Sequence, residues 1–530
     1  MFIDELRKNF KGDIIDDAQA LTQFSHDASI FEVKPILVIA PHDSADVQAA
    51  VKAAAAAKQA GENVSVSPRA AGTCMAGGSL TESVMIDMMK YCNHIYDVEI
   101  DADKKAGYAV VEPGVFYRDL DVETRRRGLM MPAYPASRDL AAVGGMVGNN
   151  AGGEKTPAYG KIENYLLELK VVLSDGNEYT VKPLTKTELE AKMKLPTFEG
   201  RLYKQLFELI TANEPLIKAA KPNVTKNSAG YYIWNVWDPS ANSGQGCFDL
   251  ARLLVGSQGT LGITTQIKFR LVPVPLVSKL LVIFLKDLSK VGDLVSALHA
   301  LRPESIESYD DQTLKLVFKY FGQFVKLMRE KNLFSLAWQF IPEFLMVLRG
   351  GIPKLIIMAE FTGDSIKEVE ERAAQAVKAI EPFKVSFRLT RDERESRKYW
   401  TMRRESFSLM RNNLKDRHTA PFIDDFAVRA EVLPEFLPKL YAILGTYDFA
   451  YGVMGHPGEG NFHILPMLKL ENADERAIIP KLSEEVYNLV LQYKGTITAE
   501  HNDGLIRTPY LEKMYEIGRA SCRERVYVLV

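Results

Sequence analysis

The sequence predicts an α+β protein with two main domains. Short strand-like apolar runs alternate with helical ones, glycine-rich clusters crowd the first 275 residues, and the alternation restarts beyond a closing strand near residue 275. At 530 residues the chain has room for about three or four folding units of roughly 150 residues. Residues 1–30 read as a polar, helical N-terminal extension. KPILVIAPHDSADVQAAVKAAAAAKQAG then reads as strand, turn and helix: the apolar run at 36–40 stops at Pro41, and Ser44 and Asp46 mark the start of an alanine-rich helix. VSVSPRAAGT opens with a strand, another run follows at 108–112, and YLLELKVVLSDGNEYTV sets two strands around the hairpin signal Asp175-Gly176. IKFRLVPVP looks like the closing strand, so the first domain is placed at 31–275 and the second, an α/β domain, at 276–515. In the second, KLLVIFLKDLSKVGDLVSALHALRPESIESYD alternates strand and helix, LIIMAEF at 355–361 precedes the helical IKEVEERAAQAVKAI, and further helices are expected at about 390–412 and 480–493.

Composition narrows the function classes. Hydrophobic residues are 47% and charged residues 25%, the balance of a compact protein with a large core. Lys+Arg number 66 against 68 Asp+Glu, so no global field favours nucleic acid or an anionic membrane. Cys74, Cys92, Cys247 and Cys522 form no CxxC pair, which argues against a disulfide scaffold, a zinc knuckle or an iron–sulfur cluster. The opening MFIDELRKNF lacks a long apolar core, and the most apolar stretch, 337–361, is broken by Glu343, Arg349, Lys354, two prolines and a Gly-Gly pair. A cytoplasmic setting fits these features. LKLVFKYFGQFVKLMREKNLF at 314–334 reads as an amphipathic helix, suited either to core packing or to peripheral contact with the inner face of the cell membrane.

The chemistry concentrates in glycine loops and histidines. Ser67 to Gly78, AAVGGMVGNNAGG at 141–153 and the segment around GSQGTLGITT at 256–265 are rich in small residues, which let backbone N–H groups approach a phosphate closely. Neither GxGxxG nor GxxxxGK[ST] is present in the first of these loops, which disfavours a Rossmann domain or a P-loop. His456-x6-His463 with the distant carboxylate Glu500 has donors that suit a divalent metal; equally, these histidines could satisfy polar groups beside glycine-rich turns.

The first loop, Glu112-Pro113-Gly114, Pro132-Ala133-Tyr134-Pro135, GGMVGNNAGG with Tyr159-Gly160, and GSQGTLGITT stand in the order of the FAD-linked oxidases of the vanillyl-alcohol-oxidase or PCMH type, which the chain resembles over roughly 30–511. HPGEGNFH at 456–463 and EHNDG at 500–504 resemble the branch of D-lactate and D-2-hydroxyglutarate dehydrogenases. The resemblance implies a two-subdomain PCMH-type FAD-binding domain followed by a C-terminal cap. It implies cofactor contacts from Arg69, Ala70, Ala71, Gly72, Thr73, Gly77 and Gly78 at the pyrophosphate. Further contacts are implied for Pro132, Gly144, Asn149, Asn150, Gly152, Gly153, Gly259, Thr260, Ile263 and Asn461. Gln258 stands where relatives often carry Glu. Cys74 reads as a small loop residue rather than a covalent flavin link.

By the same resemblance, His456, His463 and Glu500 are metal ligands, for zinc or manganese, and His501 is the base that takes a hydroxyl proton as hydride passes to flavin N5. Arg403 in YWTMRRESF matches the arginine for the substrate carboxylate, with Arg404 its adjacent rival. Phe407 stands where hydroxyglutarate-specific relatives carry a hydroxyl, and no second basic substrate residue is matched in DRHTAPFIDD, where Arg417 or His418 are the substitutes. D-lactate is therefore the first expected substrate and D-2-hydroxyglutarate the alternative, with a quinone, cytochrome or electron-transfer protein as acceptor. Other readings are a noncatalytic FAD-binding electron-transfer subunit and a non-redox relative of alkyl-ether phospholipid synthases. The end, 516–530, with RASCRERVYVLV, does not resemble the family's usual ending.

Overall fold

The computed structural model describes residues 1–102, 105–241, 246–327, 340, 351–413 and 416–515. The first layer is a four-stranded sheet in which Leu37–Ala40, Val84–Asp87 and Val66–Arg69 run parallel. Helix Ser44–Gln59 returns the chain between parallel strands. Asp43, rather than Ser44, caps it, accepting the N–H groups of Ala45 and Asp46 at 2.9 and 3.1 Å. Ala50, Ala53, Ala54 and Ala57 give this helix a smooth buried face. Residues 1–30 are built into this layer: Asp13–Ile15 pairs antiparallel with Leu37–Ala40, and Phe2, Leu6 and Phe10 enter the same core.

A second sheet has the order Ile95–Ile100, Gly107–Val111, Ile263–Pro273, Leu166–Val172, Glu178–Val181, antiparallel throughout, with Leu129–Met130 on the end of the long strand. The Asp175-Gly176 turn joins its last two strands, with Gly176 at φ +74°. Ile263–Pro273 reaches the centre of this sheet from far along the chain, so the first domain closes only there. Between them, helices Lys186–Met193 and Phe198–Ala212 pack beside a small three-stranded sheet.

Val277–Leu285 opens the third large layer, an eight-stranded sheet antiparallel at every pair. Strands and helices alternate along the sequence here, but the sheet does not follow that order. Instead, helix Val291–His299 crosses to Ser305–Asp310 at a distance of two strands, and Leu355–Gly363 inserts between them with opposite direction. One face buries Leu281, Ile283 and Leu285 under helices including Val291–His299 and Ile366–Ile380. The other buries Leu280, Val282 and Phe284 with residues of helices Asp311–Lys319, Phe321–Leu327 and Glu393–Asn413.

Leu314, Val317 and Phe324 of the amphipathic stretch belong to that second core, while its residues 328–334 lie outside the described residues. The side chain of Phe407 and the segment 516–530 also lie outside them. Among the described residues, no helix is long and apolar enough to cross a membrane.

Candidate functional site

Three first-domain segments converge on one cavity of about 100 Å³: the loop after Val66–Arg69, helix Val143–Asn149 and the turn at Ser257-Gln258-Gly259. Of the residues expected to bind a cofactor, Arg69, Ala70, Ala71, Gly72, Thr73, Gly78, Gly144, Asn149 and Gly259 line it. Arg69, Gly72, Thr73 and Asn149 also line a larger cavity of about 680 Å³, joined by Gly152, and that cavity reaches Arg403, His456, His463, Glu500 and His501. The two groups of motifs therefore open into one cleft.

The glycine side of the cleft is made of backbone. A Cβ on Gly145 or Gly148 would meet nothing nearer than 3.6 or 3.8 Å and would stand in the cavity itself. Gly259, at φ +76°, comes so close to Pro68 that a Cβ would lie 2.4 Å from its Cγ. Gln258 ties two segments together by donating from Nε2 to Asn149 Oδ1 at 3.1 Å. Burial pushes the Cys74 thiol up, which keeps it protonated and a poor nucleophile beside the cavity.

Other expected cofactor residues do not line either cavity, for identifiable reasons. Arg69, which does line both, donates from its guanidinium to the carbonyls of His26 and Phe24, at 2.6 and 3.4 Å. Gly77 packs on Phe31 and Leu505, and Gly153 on the Tyr134 carbonyl. Pro132 is buried. Asn150, at φ +49°, caps helix Val143–Asn149 and accepts the Glu163 N–H at 3.1 Å. Thr260 donates to the Ser257 carbonyl at 2.6 Å. Ile263 points into the core while Gly262 and Thr264 face the cavity, as strand alternation requires. Asn461 is held by the Phe426 carbonyl at 2.9 Å and by Lys226 at 3.3 Å.

The opposite wall is a hairpin of Ala450–His456 and Asn461–Leu468, in which Met454 pairs with His463. Alternation turns Met454, His456, His463 and Leu465 toward the cleft and Val453, Phe462 and Ile464 into the core. Asp425 fixes the facing segment: its carboxylate accepts the N–H groups of Ala499, Glu500 and His501 at 3.0, 3.0 and 2.7 Å and the Thr498 hydroxyl at 2.9 Å. Asp425, His463, Glu500 and His501 could also be grouped as a metal-holding set. With so many donors on the Asp425 carboxylate, it serves the backbone, and His456 is the better third partner.

His456 Nε2 and His463 Nε2 each lie 3.1 Å from Glu500 Oε1, with the two rings edge to face. The proton positions follow from the other nitrogens. His463 Nδ1 sits 2.5 Å from the Asp424 carbonyl, which only accepts, so Nδ1 carries the proton and Nε2 offers a lone pair. His456 Nδ1 faces Glu307 Oε1 at 2.5 Å in the same manner. Burial holds the His463 imidazolium down, so a lone pair confronts a carboxylate oxygen at 3.1 Å, an arrangement that a cation between them relieves. This donor set fits a divalent metal.

Burial opposes ionisation of Glu500, but Lys226, ion-paired to its Oε2, holds the carboxyl well below the usual range. His501 stacks on His463 and presents Nδ1 to Asp424 Oδ2 at 2.8 Å. Burial opposes its positive charge, yet Asp425 and Asp424 outweigh it and push the imidazolium up to about 9. Buried Arg507 pairs with the other oxygen of Asp424. Arg403 is buried and paired with Glu307, which thereby bridges it to His456. Arg404 instead donates to both oxygens of Glu154, at 2.7 and 2.8 Å.

Sequence reasoning missed Lys226, Glu307, Asp424, Asp425 and Arg507. The only local signal was the Asp424-Asp425 pair inside an apolar run.

Residues 35–182 match the family described as FAD binding domain, and residues 274–522 match FAD linked oxidases, C-terminal domain. The chain is 26% identical to a D-2-hydroxyglutarate dehydrogenase of Pseudomonas putida, over 97% of this chain and 49% of that protein. It is 24% identical to a D-lactate dehydrogenase of Anaerostipes hadrus, over 92% of this chain and 86% of that one. The chain thus spans about half the length of the first group of curated relatives it matches. Its fold is that of p-cresol methylhydroxylase, with a TM-score of 0.65 at 15% identity over 99% of this chain and 93% of that structure. The glycine cradle fits FAD: its lining is dominated by small residues, which let backbone N–H groups approach a pyrophosphate closely. Two of the three cradle segments lie inside one matched region and the histidine wall inside the other, so the chain carries an FAD binding domain followed by an FAD linked oxidase C-terminal domain.

Proposed function

We propose that this protein is an FAD-dependent dehydrogenase that oxidises a small D-2-hydroxy acid, with D-lactate as the first candidate, to the 2-oxo acid. One observation carries the reading: the glycine cradle and the three histidines open into the same cleft, so an electron acceptor and a proton acceptor can address one carbon. Bound there, FAD supplies the hydride acceptor, and a divalent ion such as zinc or manganese polarises the hydroxyl and opposes positive charge on His501. His456, His463 and Glu500 are the residues to hold that ion. His501 takes the hydroxyl proton on Nε2, because Asp424 fixes the proton on Nδ1 and Arg507 fixes Asp424. Arg403 receives the substrate carboxylate beside the ligand wall, oriented through Glu307.

The names of the relatives about twice this length, and of two matched over most of their length, favour D-2-hydroxyglutarate as a second reading. The test is the anaerobic visible spectrum of FAD- and metal-loaded protein before and after each acid. Bleaching of the flavin by D-lactate or D-2-hydroxyglutarate supports the reading. An oxidised flavin that persists with both acids contradicts it.

A further inference from the structure

We infer that this site selects 2-hydroxy monocarboxylates with an aliphatic side chain and discriminates against dicarboxylates. The inference rests on the hydroxy-acid reading above and deepens it. The wall beside the histidine pair is apolar by register: Met454 stands directly across from His463, and Leu465 lies two residues further on the same face. Both line the cleft, and both are 4% exposed. Thr419, on the neighbouring strand, adds only a neutral hydroxyl. A second substrate carboxylate set against these apolar residues would lose its water, and among the described residues of this wall Met454, Leu465 and Thr419 offer it no charge.

The guanidinium groups of the cleft do not change that balance. Arg403 is the group assigned to the carboxylate next to the reacting carbon. Arg69 lines the cleft but already donates to the carbonyls of His26 and Phe24, at 2.6 and 3.4 Å, so a distal carboxylate would have to compete with acceptors in place. Among the described residues lining the cleft, Arg404 is the remaining guanidinium for a distal carboxylate, but Glu154 engages it with both oxygens and the Trp400 ring lies 4.8 Å from it. Glu154 is itself buried, with an 8% exposed side chain. A diacid reaching Arg404 would have to displace that carboxylate and leave it only the longer contacts to Arg138 at 3.8 Å and the Tyr134 hydroxyl at 3.3 Å. An aliphatic side chain meets Met454 and Leu465 without disturbing either ion pair.

The test is stopped-flow reduction of the FAD- and metal-loaded protein, without oxygen, by D-lactate, D-2-hydroxybutanoate and D-2-hydroxyglutarate. One added methylene should raise kcat/KM about tenfold over D-lactate, and the diacid should fall roughly a hundredfold below D-2-hydroxybutanoate. D-2-hydroxyglutarate as the fastest acid overturns this inference and leaves the hydroxy-acid reading standing. A flavin that none of the three acids reduces overturns both.

Two variants report on the wall itself. Glu154→Gln removes the charge opposing Arg404 and should move the ratio of kcat/KM values at least about tenfold toward the diacid. Leu465→Ala should erase most of the gain from the added methylene, about tenfold. Ratios unmoved in both variants overturn the inference.

Discussion

The cradle and the histidine wall face each other across one cleft, yet they are built by opposite means. On the cradle side the functional surface is backbone: Gly145 and Gly148 keep the cavity open, and Gly259 lets one loop touch another. On the wall side the surface is side chains, and each histidine needs a buried oxygen to orient it: Glu307 for His456, the Asp424 carbonyl for His463 and the Asp424 carboxylate for His501. A backbone site tolerates changes of side chain but not of volume. A side-chain site fails when a partner is removed, even though no reacting atom is touched.

That contrast yields a graded set of outcomes. The largest effect should come from Asp424→Asn, in which the amide can donate to His501 Nδ1 and move the imidazole proton to Nε2. Flavin reduction should slow about 10²- to 10⁴-fold at unchanged FAD content, measured by anaerobic stopped flow; a loss under about tenfold would show that the dyad is dispensable. His456→Ala should lower metal affinity by about 100-fold or more. Glu307→Gln, which removes the partner of that ring without removing a ligand, should cost about 10- to 100-fold in metal affinity. Metal per chain by elemental analysis reads both, and FAD absorbance should stay constant. The mirror image is Gly259→Val, where a side chain at φ +76° meets Pro68. FAD affinity should fall about tenfold while metal content holds, and loss of both together would break the division between the two regions.

The smallest effect concerns the join. Lys161 donates to the Asn227 carbonyl and the Ser228 hydroxyl at 2.7 and 2.6 Å, and to the Ala499 carbonyl at 3.3 Å beside the histidine wall. Burial lowers its ammonium to about 8. Between about 8 and the ordinary lysine range the unfolded chain binds more protons than the folded one, so stability rises with pH over that window. Wild type should therefore gain melting temperature relative to Lys161→Met from pH 8 to 10, by a few degrees at most. A constant gap would contradict the assignment.

The same contrast explains what the sequence made readable. Glycine clusters announce close backbone approach wherever they fall, so the three cradle segments were visible before any fold was known, and so were the histidines with their glycine-flanked spacing. Individual contacts were less readable. Ile263 and Gly262 are chain neighbours, and only the register of the strand decides which of them faces the cavity. The orienting acids were hidden because they are remote, Glu307 by 149 positions from His456 and Asp424 by 77 from His501. In the sequence each is an ordinary acidic residue. The strand order of the C-terminal sheet was unreadable for a similar reason: strand–helix order is local, whereas the insertion of Leu355–Gly363 between two earlier strands is not.

The most direct measurement of whether cradle and wall form one reaction site is single-turnover reduction of bound flavin by D-lactate, without oxygen, in wild type and His501→Ala at equal FAD and metal occupancy. The account predicts rapid bleaching in wild type and a loss of about 10²- to 10⁴-fold in the variant, with the flavin spectrum before mixing unchanged. Equal rates in the two proteins would contradict it, because the proton would then leave the substrate without His501.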